Sequence, residues 1–263
     1  AVTLDAKGNL RRARPRFFKE TGYRRTDLAD MKVWELDQSF DPEEAFDLWS
    51  EMRIGDRYRF EVIFRREDGS LFPVEVHVRR LRIGGEDRFM VIGRDITDRK
   101  ERERALRERQ DKIEALYEAT RRLLTAETRS AVSDRIHEVL ASLFDYPLRN
   151  TGFVDGDRVV PEQTTAERSL GVPMPEPQPQ SGDSLSAQAL RVGDTVVVED
   201  TSALDNAVEY GGLGAAAAVP IGQRGVVVIG KTETEGFDPF DLRLVEVLGG
   251  YASLVLDRLG REG

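Results

Sequence analysis

The run Arg94-Asp95-Ile96-Thr97-Asp98-Arg99-Lys100-Glu101-Arg102-Glu103 is where strand-like sequence stops and a charged helical pattern starts. Asp98, with Glu101 three residues on, fits a capping box, and Thr97 is a competing N-cap. From there to about Leu124 neither Gly nor Pro interrupts the chain, so a long helix is expected. Leu106, Ile113, Leu116, Thr120 and Leu123 fall on one seam at a/d spacing, while Glu and Arg crowd the other faces. The seam is short, and Arg99 and Arg109 stand where a coiled coil would carry aliphatics. A weak parallel contact between two copies is the reading adopted, with Leu106, Ile113, Leu116 and Leu123 as the dimer seam. The alternative is a lone spacer helix held by i,i+4 Glu–Arg pairs.

Upstream of this joint, Val2–Asp5 and Leu10–Arg14 flank the turn Ala6-Lys7-Gly8-Asn9 and read as a hairpin. Pro15 opens a short helix that Gly22 closes. Short helical turns carrying Leu28, Met31 and Trp34 follow. Asp41-Pro42-Glu43-Glu44 then starts a helix with Phe46, Trp49 and Met52 at helical spacing. Tyr58–Arg66 and Phe72–Leu81 alternate as strands around Asp68-Gly69, and Gly84-Gly85 turns the chain into a third strand, Arg88–Arg94. That last strand is apolar on both faces (Phe89 and Val91, Met90 and Ile92), so a cover for its outer side is expected.

Two strands, short helices and three antiparallel strands make an α+β domain. Several blocks resemble the PAS family in order and spacing: Thr21-Gly22-Tyr23, then Phe64-Arg65-Arg66-Glu67-Asp68-Gly69-Ser70 with Pro73-Val74-Glu75-Val76, and finally Arg94-Asp95-Ile96-Thr97. The resemblance covers about residues 1–97. One departure is Arg14, where the family usually has Asn before the Pro of its first helix. The resemblance implies a ligand pocket between helices and sheet, with Phe17, Phe18, Trp34, Phe46, Trp49, Phe60, Val62, Phe64, Val74 and Val76 as candidate lining. The plainer reading is that these residues fill the core of a small domain. It also implies that Asp95, Thr97 and Asp98 form the signal joint from which an output helix leaves.

Downstream, the helical pattern resumes over Arg129–Phe144, and Asp155-Gly156-Asp157 turns a hairpin between Asn150–Val154 and Arg158–Val160. Glu162–Gly182, with Pro173, Pro175, Pro177 and Pro179, reads as an irregular loop. A helix over Asp183–Arg191, a buried strand over Thr195–Glu199 and a mobile loop over Asn206–Gly214 follow. Strands Ala215–Ile221 and Gly225–Lys231 and a closing helix over Asp238–Leu259, largely apolar through Leu242, Val245, Leu248, Ala252, Leu254 and Val255, complete the chain.

This half resembles the GAF family. The residues that carry the likeness are Ser184–Leu190 with Gly193, Val196-Val197-Val198-Glu199-Asp200, Ala218-Val219-Pro220-Ile221, Arg224-Gly225-Val226-Val227 and Phe237-Asp238-Pro239-Phe240-Asp241. The resemblance implies a second small-molecule pocket, although the polar set of the family's cyclic-nucleotide binders is not recognisable. The domain organisation expected is 1–97 PAS-like, 98–118 connecting helix and 119–263 GAF-like, each domain an antiparallel sheet flanked by helices.

Composition narrows the chemistry. The chain has 263 residues, no cysteine and a net charge of −9. There is therefore no thiolate nucleophile, no disulfide and no Cys-linked flavin or bilin. Haem is disfavoured because His77 stands opposite the Val74/Val76/Val78 face. The ligand or cofactor stays unidentified, and no metal site or catalytic residue is expected. Acidic balance argues against nucleic-acid binding. No apolar stretch approaches the roughly 18 residues of a membrane span, so a cytoplasmic location is expected. Lys is rare, at residues 7, 19, 32, 100, 112 and 231, which leaves 33 Arg among 39 basic residues. Acidic excess with few lysines fits a salty cytoplasm or a GC-rich genome.

Three tempting motifs fall away. Gly182-Asp183-Ser184-Leu185 spells the GDSL esterase nucleophile block, yet no His follows His137 to serve as base. His137-Glu138 lacks the rest of a kinase phosphoacceptor box, and His137 is read as a helix-surface residue. Gly211-Gly212-Leu213-Gly214 lacks the Lys-Ser/Thr ending of a phosphate loop. The reading adopted is a sensory module without catalysis of its own, relaying to an output such as a histidine kinase or a DNA-binding regulator of the bacterio-opsin-activator type. A ligandless dimerisation scaffold and an esterase are the rivals.

Overall fold

The computed structural model describes residues 1–27, 30–204, 210–234 and 236–262. Two compact units result, Ala1–Arg107 and Glu108–Gly263. Leu28, and residues 206–209 of the expected loop, lie outside the described residues.

In the first unit β1 (Val2–Asp5) and β2 (Leu10–Ala13) form the hairpin, followed by α1 (Pro15–Thr21), α2 (Val33–Leu36) and α3 (Pro42–Glu51). Three long strands follow, β3 (Arg57–Arg65), β4 (Leu71–Ile83) and β5 (Glu86–Asp95), giving an antiparallel sheet in the order β2-β1-β5-β4-β3. Local chemistry sets the ends of the helices. Gly22 takes φ 81° and its N–H returns to the Phe18 carbonyl, closing α1 in a conformation that favours glycine. Asp41 accepts from the Glu44 N–H while the Glu44 carboxylate accepts from the Asp41 N–H, a reciprocal cap for α3. Arg14 makes no side-chain cap on α1.

Period two divides the sheet's faces. Val62, Phe64, Val74, Val76 and Val78 point into the core with Leu4, Phe89 and Val91. The outer face carries ions instead: Arg59 and His77 both reach Glu75, and Glu61 takes Arg99 and Lys100. Met90 and Ile92 remain exposed on that face. The expected cover is therefore absent among the described residues.

The connecting element α4 (Thr97–Leu123) is an unbroken helix of 27 residues. Its start differs from the sequence reading. Asp95 Oδ1 accepts from both the Thr97 N–H and the Thr97 hydroxyl, at 2.9 and 2.6 Å. Asp98 lies inside the first turn, where its charge suits the helix dipole but caps nothing.

The second unit adds α5 (Arg129–Leu143), β6 (Leu148–Asp155), β7 (Arg158–Ala166), the two-residue β8 (Gln178–Pro179), α6 (Leu185–Val192), β9 (Val196–Val198), β10 (Ala215–Ile221), β11 (Gly225–Lys231) and α7 (Pro239–Glu262). The sheet order is β8-β7-β6-β11-β10-β9. β10 and β11 are buried on both faces, and period two again sorts them. Ala215, Ala217, Val219, Val227 and Ile229 meet α4, α5 and α7, whereas Ala216, Ala218, Val226 and Val228 meet α6. Alanines on β10 let helices approach from both sides.

Three expectations change in this unit. β7 runs on to Ala166 because it pairs with β6 as far as Leu148, so the irregular loop starts later. β9 is the sheet's edge, and Val197 is exposed rather than buried. His137 is buried, only 6% exposed, because α5 lays that face on β7. Its Nδ1 lies 3.2 Å from the Thr165 hydroxyl. Burial, helped by Arg149, holds its pKa below the ordinary histidine value.

Candidate functional site

Each unit leaves open space beside its sheet. In the first, the space lies between the sheet and α2 and α3, with walls of Trp34, Trp49, Phe40, Phe60, Phe64, Val76 and Val78. Five of the ten candidate residues reach it: Trp34, Trp49, Phe60, Phe64 and Val76. Phe17, Val62 and Val74 are buried in the core and Phe18 packs against it, all four outside the cavity lining. Phe46 is 40% exposed, held edge-on between Trp34 and Trp49 on the outer side of α3. Its helical spacing with Trp49 is real, but a residue three positions back turns 60° away from the core-facing direction, enough to leave the wall.

The cavity is small, about 40 Å³ as swept by the centre of a water molecule, which is room for about three waters. One ionisable group lines it, and sequence reasoning missed it. Asp37 follows the C-terminus of α2, where a backbone bridge to Phe64 fixes it against β3. Its Oδ1 accepts the Ser39 N–H at 2.9 Å. Burial pushes the Asp37 pKa up to about 6, the Ser39 hydrogen bonds offsetting only part of the effect. The Asp-x-Ser spacing signals a local turn. Nothing in it says which way the carboxylate faces.

The second space is larger, about 330 Å³, and mixed in character. Leu148, Val172, Met174, Leu185, Leu213 and Val228 supply apolar wall, while Asn150, Thr164, Gln178, Ser184, Ser186 and Tyr210 supply polar groups. Thr164 donates to the Asn150 carbonyl oxygen at 2.9 Å, so the Asn150 amide N–H groups are what remains for a ligand. Among the described residues no Lys or Arg lines it, and Glu176 is the one charged group in its wall. Ser184, the tempting nucleophile, spends its oxygen as the N-cap of α6, accepting from the Ala187 N–H. Gly212 donates its N–H to the Leu170 carbonyl, and a Cβ on Gly211 would lie 2.5 Å from that oxygen. These glycines permit a close approach of two backbones, not of a phosphate. The loop around Met174, Pro175 and Glu176, passed over as irregular, supplies much of the rim.

The candidate seam of α4 divides. Leu106 and Ile113 are 67% and 51% exposed, but Leu116 is buried and Leu123 fully so within the second unit's own core. Tyr117 and Leu124 are exposed in their place. Among the described residues no group of His, Cys, Asp and Glu could hold a metal ion, and no helix is long and apolar enough to cross a membrane.

Comparison with known proteins fits this geometry. A PAS domain model matches residues 3–98 and a GAF domain model matches residues 126–257. The chain is a PAS domain followed by a GAF domain. PAS and GAF domains are sensory modules. No match is found among the curated proteins. The PAS half is similar to the PAS domain of an HTR-like protein from Haloarcula marismortui, with 39% identity over 36% of this chain and 83% of that one, at a TM-score of 0.35. The GAF half is similar in fold to a free methionine-R-sulfoxide reductase from Neisseria meningitidis in complex with its substrate. That likeness has 18% identity over 58% of this chain and 92% of that one, at a TM-score of 0.51. It is also similar to the GAF domain of a phosphoenolpyruvate-protein phosphotransferase from Coxiella burnetii, with 12% identity over 59% and 98% and a TM-score of 0.50.

Proposed function

We propose that the chain is a non-catalytic relay in which occupancy of the PAS or GAF cavity biases α4 within a homodimer, and thereby an output such as a histidine kinase or a DNA-binding regulator. The observation that carries this reading is α4 itself. Its first turn is tied to the PAS sheet through Asp95, Glu61 and Glu75, and its last turns place Leu116, Ala119 and Leu123 in the GAF core. The helix thus contributes residues to each domain, and a ligand that prefers one arrangement of it biases the other domain by that preference.

The dimer contact follows the exposed residues rather than the original seam. Leu106, Ile113, Tyr117 and Leu124 are separated by seven, four and seven residues, a/d spacing on one solvent-facing line. Without any cysteine in the sequence, single substitutions report the contact cleanly. Ile113→Cys and Leu106→Cys chains should form disulfide-linked dimers under mild oxidation, while Leu123→Cys should not. A protein that stays monomeric in sedimentation, with no cross-link at either exposed position, would end the dimeric relay.

The same reading assigns the chain to the cytoplasm and to no reaction of its own. Likeness to a reductase in fold does not bring its chemistry, and these residues hold no cysteine for thiol redox steps.

A further inference from the structure

We propose that the PAS cavity binds a small alkylammonium cation, with the Trp34, Trp49, Phe40, Phe60 and Phe64 rings as walls and the Asp37 carboxylate as counter-ion. This names a ligand class for the first cavity and deepens the sensory reading, although it stands on that cavity alone.

The argument starts from what Asp37 lacks. Among the described residues no Lys, Arg or His pairs with it. The cations on neighbouring elements are committed elsewhere: Lys32 donates to the Lys7 carbonyl and lies over the Trp34 ring, and Arg65 of β3 donates to the Glu35 carbonyl. Glu35, the remaining charged side chain of α2, accepts from the Lys32 N–H. An ionised carboxylate beside apolar rings is costly without a positive partner. Among the described residues the carboxylate's hydrogen-bond partner is Ser39, and burial outweighs that support.

The walls select the partner. Aromatic faces attract cations, most effectively weakly hydrated organic ones that also gain from burying methyl groups. A metal cation would require several oxygen ligands, and the wall supplies Asp37 alone among its side chains. Anions meet a carboxylate of like sign. Space for about three waters admits methylated amines of three or four heavy atoms and excludes flavin or haem.

Both tryptophans of the chain, Trp34 and Trp49, line this cavity, so intrinsic emission of the full chain reads it without a label. Trimethylammonium chloride at pH 8 should produce a saturable change. Sodium chloride at equal ionic strength and tert-butanol, a neutral molecule of similar size, should bind at least tenfold more weakly or not at all. Asp37→Asn should weaken trimethylammonium binding at least tenfold. Should that variant not fold, the wild-type profile decides: with Asp37 protonating near pH 6, affinity should drop about tenfold between pH 8 and pH 5. An absent saturable response, an equal response to tert-butanol or sodium, undiminished binding by Asp37→Asn, or a flat pH profile overturns the proposal. None of these results touches the relay, which the cross-linking at Ile113 tests separately.

Discussion

The PAS cavity and the GAF cavity sit beside similar antiparallel sheets yet differ in size and lining. The first holds about 40 Å³ behind aromatic rings that touch one another, with a single carboxylate. The second holds about 330 Å³ with amide, hydroxyl and aliphatic groups mixed. Large side chains on short helices explain the first, because tryptophan and phenylalanine fill most of what α2 and α3 leave free. Small residues and a proline-rich loop explain the second. Alanines on β10 bring α6 close, while the segment around Pro173 and Pro175 lines the cavity together with residues of β6 and β7.

Each unit also buries one ionisable group, and the contributions of these two groups, His137 and Asp37, should respond to pH in opposite senses. The largest expected effect tests whether the units are independent at all. Leu123→Ala removes a fully buried side chain from the GAF core and should cost that unit about 2–5 kcal/mol. Tryptophan emission reports only the PAS unit and should keep its own melting transition, while far-UV circular dichroism shows the GAF transition moving down. A joint shift of both would merge the two regions thermodynamically and break the comparison.

Acidification should weaken the GAF unit. His137 has a folded pKa below its unfolded value, so stability is complete above about pH 6.5 and is lost as pH falls through the lowered folded value. Thermal melts followed by circular dichroism between pH 7.5 and 5 should show this, and His137→Gln should remove most of the slope. Asp37 works the other way. Its folded pKa is raised, so its contribution is fully present below about pH 4 and is lost as pH rises through 6. Asp37→Asn should therefore stabilise the PAS unit by about 1 kcal/mol at pH 8, after discounting for solvent screening, and by nothing measurable at pH 4. Equal stabilisation at both pH values would mean that charge burial is not the cause.

Smaller again is the joint. Asp95→Ala removes the acceptor for the Thr97 N–H and should cost about 1 kcal/mol at the start of α4, with both domains still folded. If hydrogen exchange then rises in the first turn of α4 alone, Asp95 is the residue that fixes the helix to the PAS sheet. At the bottom of the scale, Ile113→Ala should change the melting of neither unit by more than about 0.5 kcal/mol, since Ile113 is half exposed. In the proposed dimer its effect falls on the oligomeric state.

Much of the architecture was legible in the residues. Gly22, Asp41 and the Asp68-Gly69 turn fix local geometry within four residues, and the alternation of Val74, Val76 and Val78 fixes which face is core. Such signals are short-range, so a single sequence carries them whole. The PAS and GAF blocks were recognisable for the same reason. Three features were decided only when distant segments met. Leu116 and Leu123 share heptad spacing with Leu106 and Ile113, but β10, α5 and α7 claim the first pair and leave the second in solvent. A helical seam says that residues share a face, not what that face touches. His137 looks like any polar residue on α5 until β7 covers it. Asp37 lies in an unremarkable turn, and its carboxylate acquires a distinctive environment only because Trp49, Phe60 and Phe64, supplied by a later helix and strand, close around it. The sequence determined the elements, their faces and the two families. The burial of charge, which depends on what arrives from elsewhere in the chain, was left to the tertiary structure.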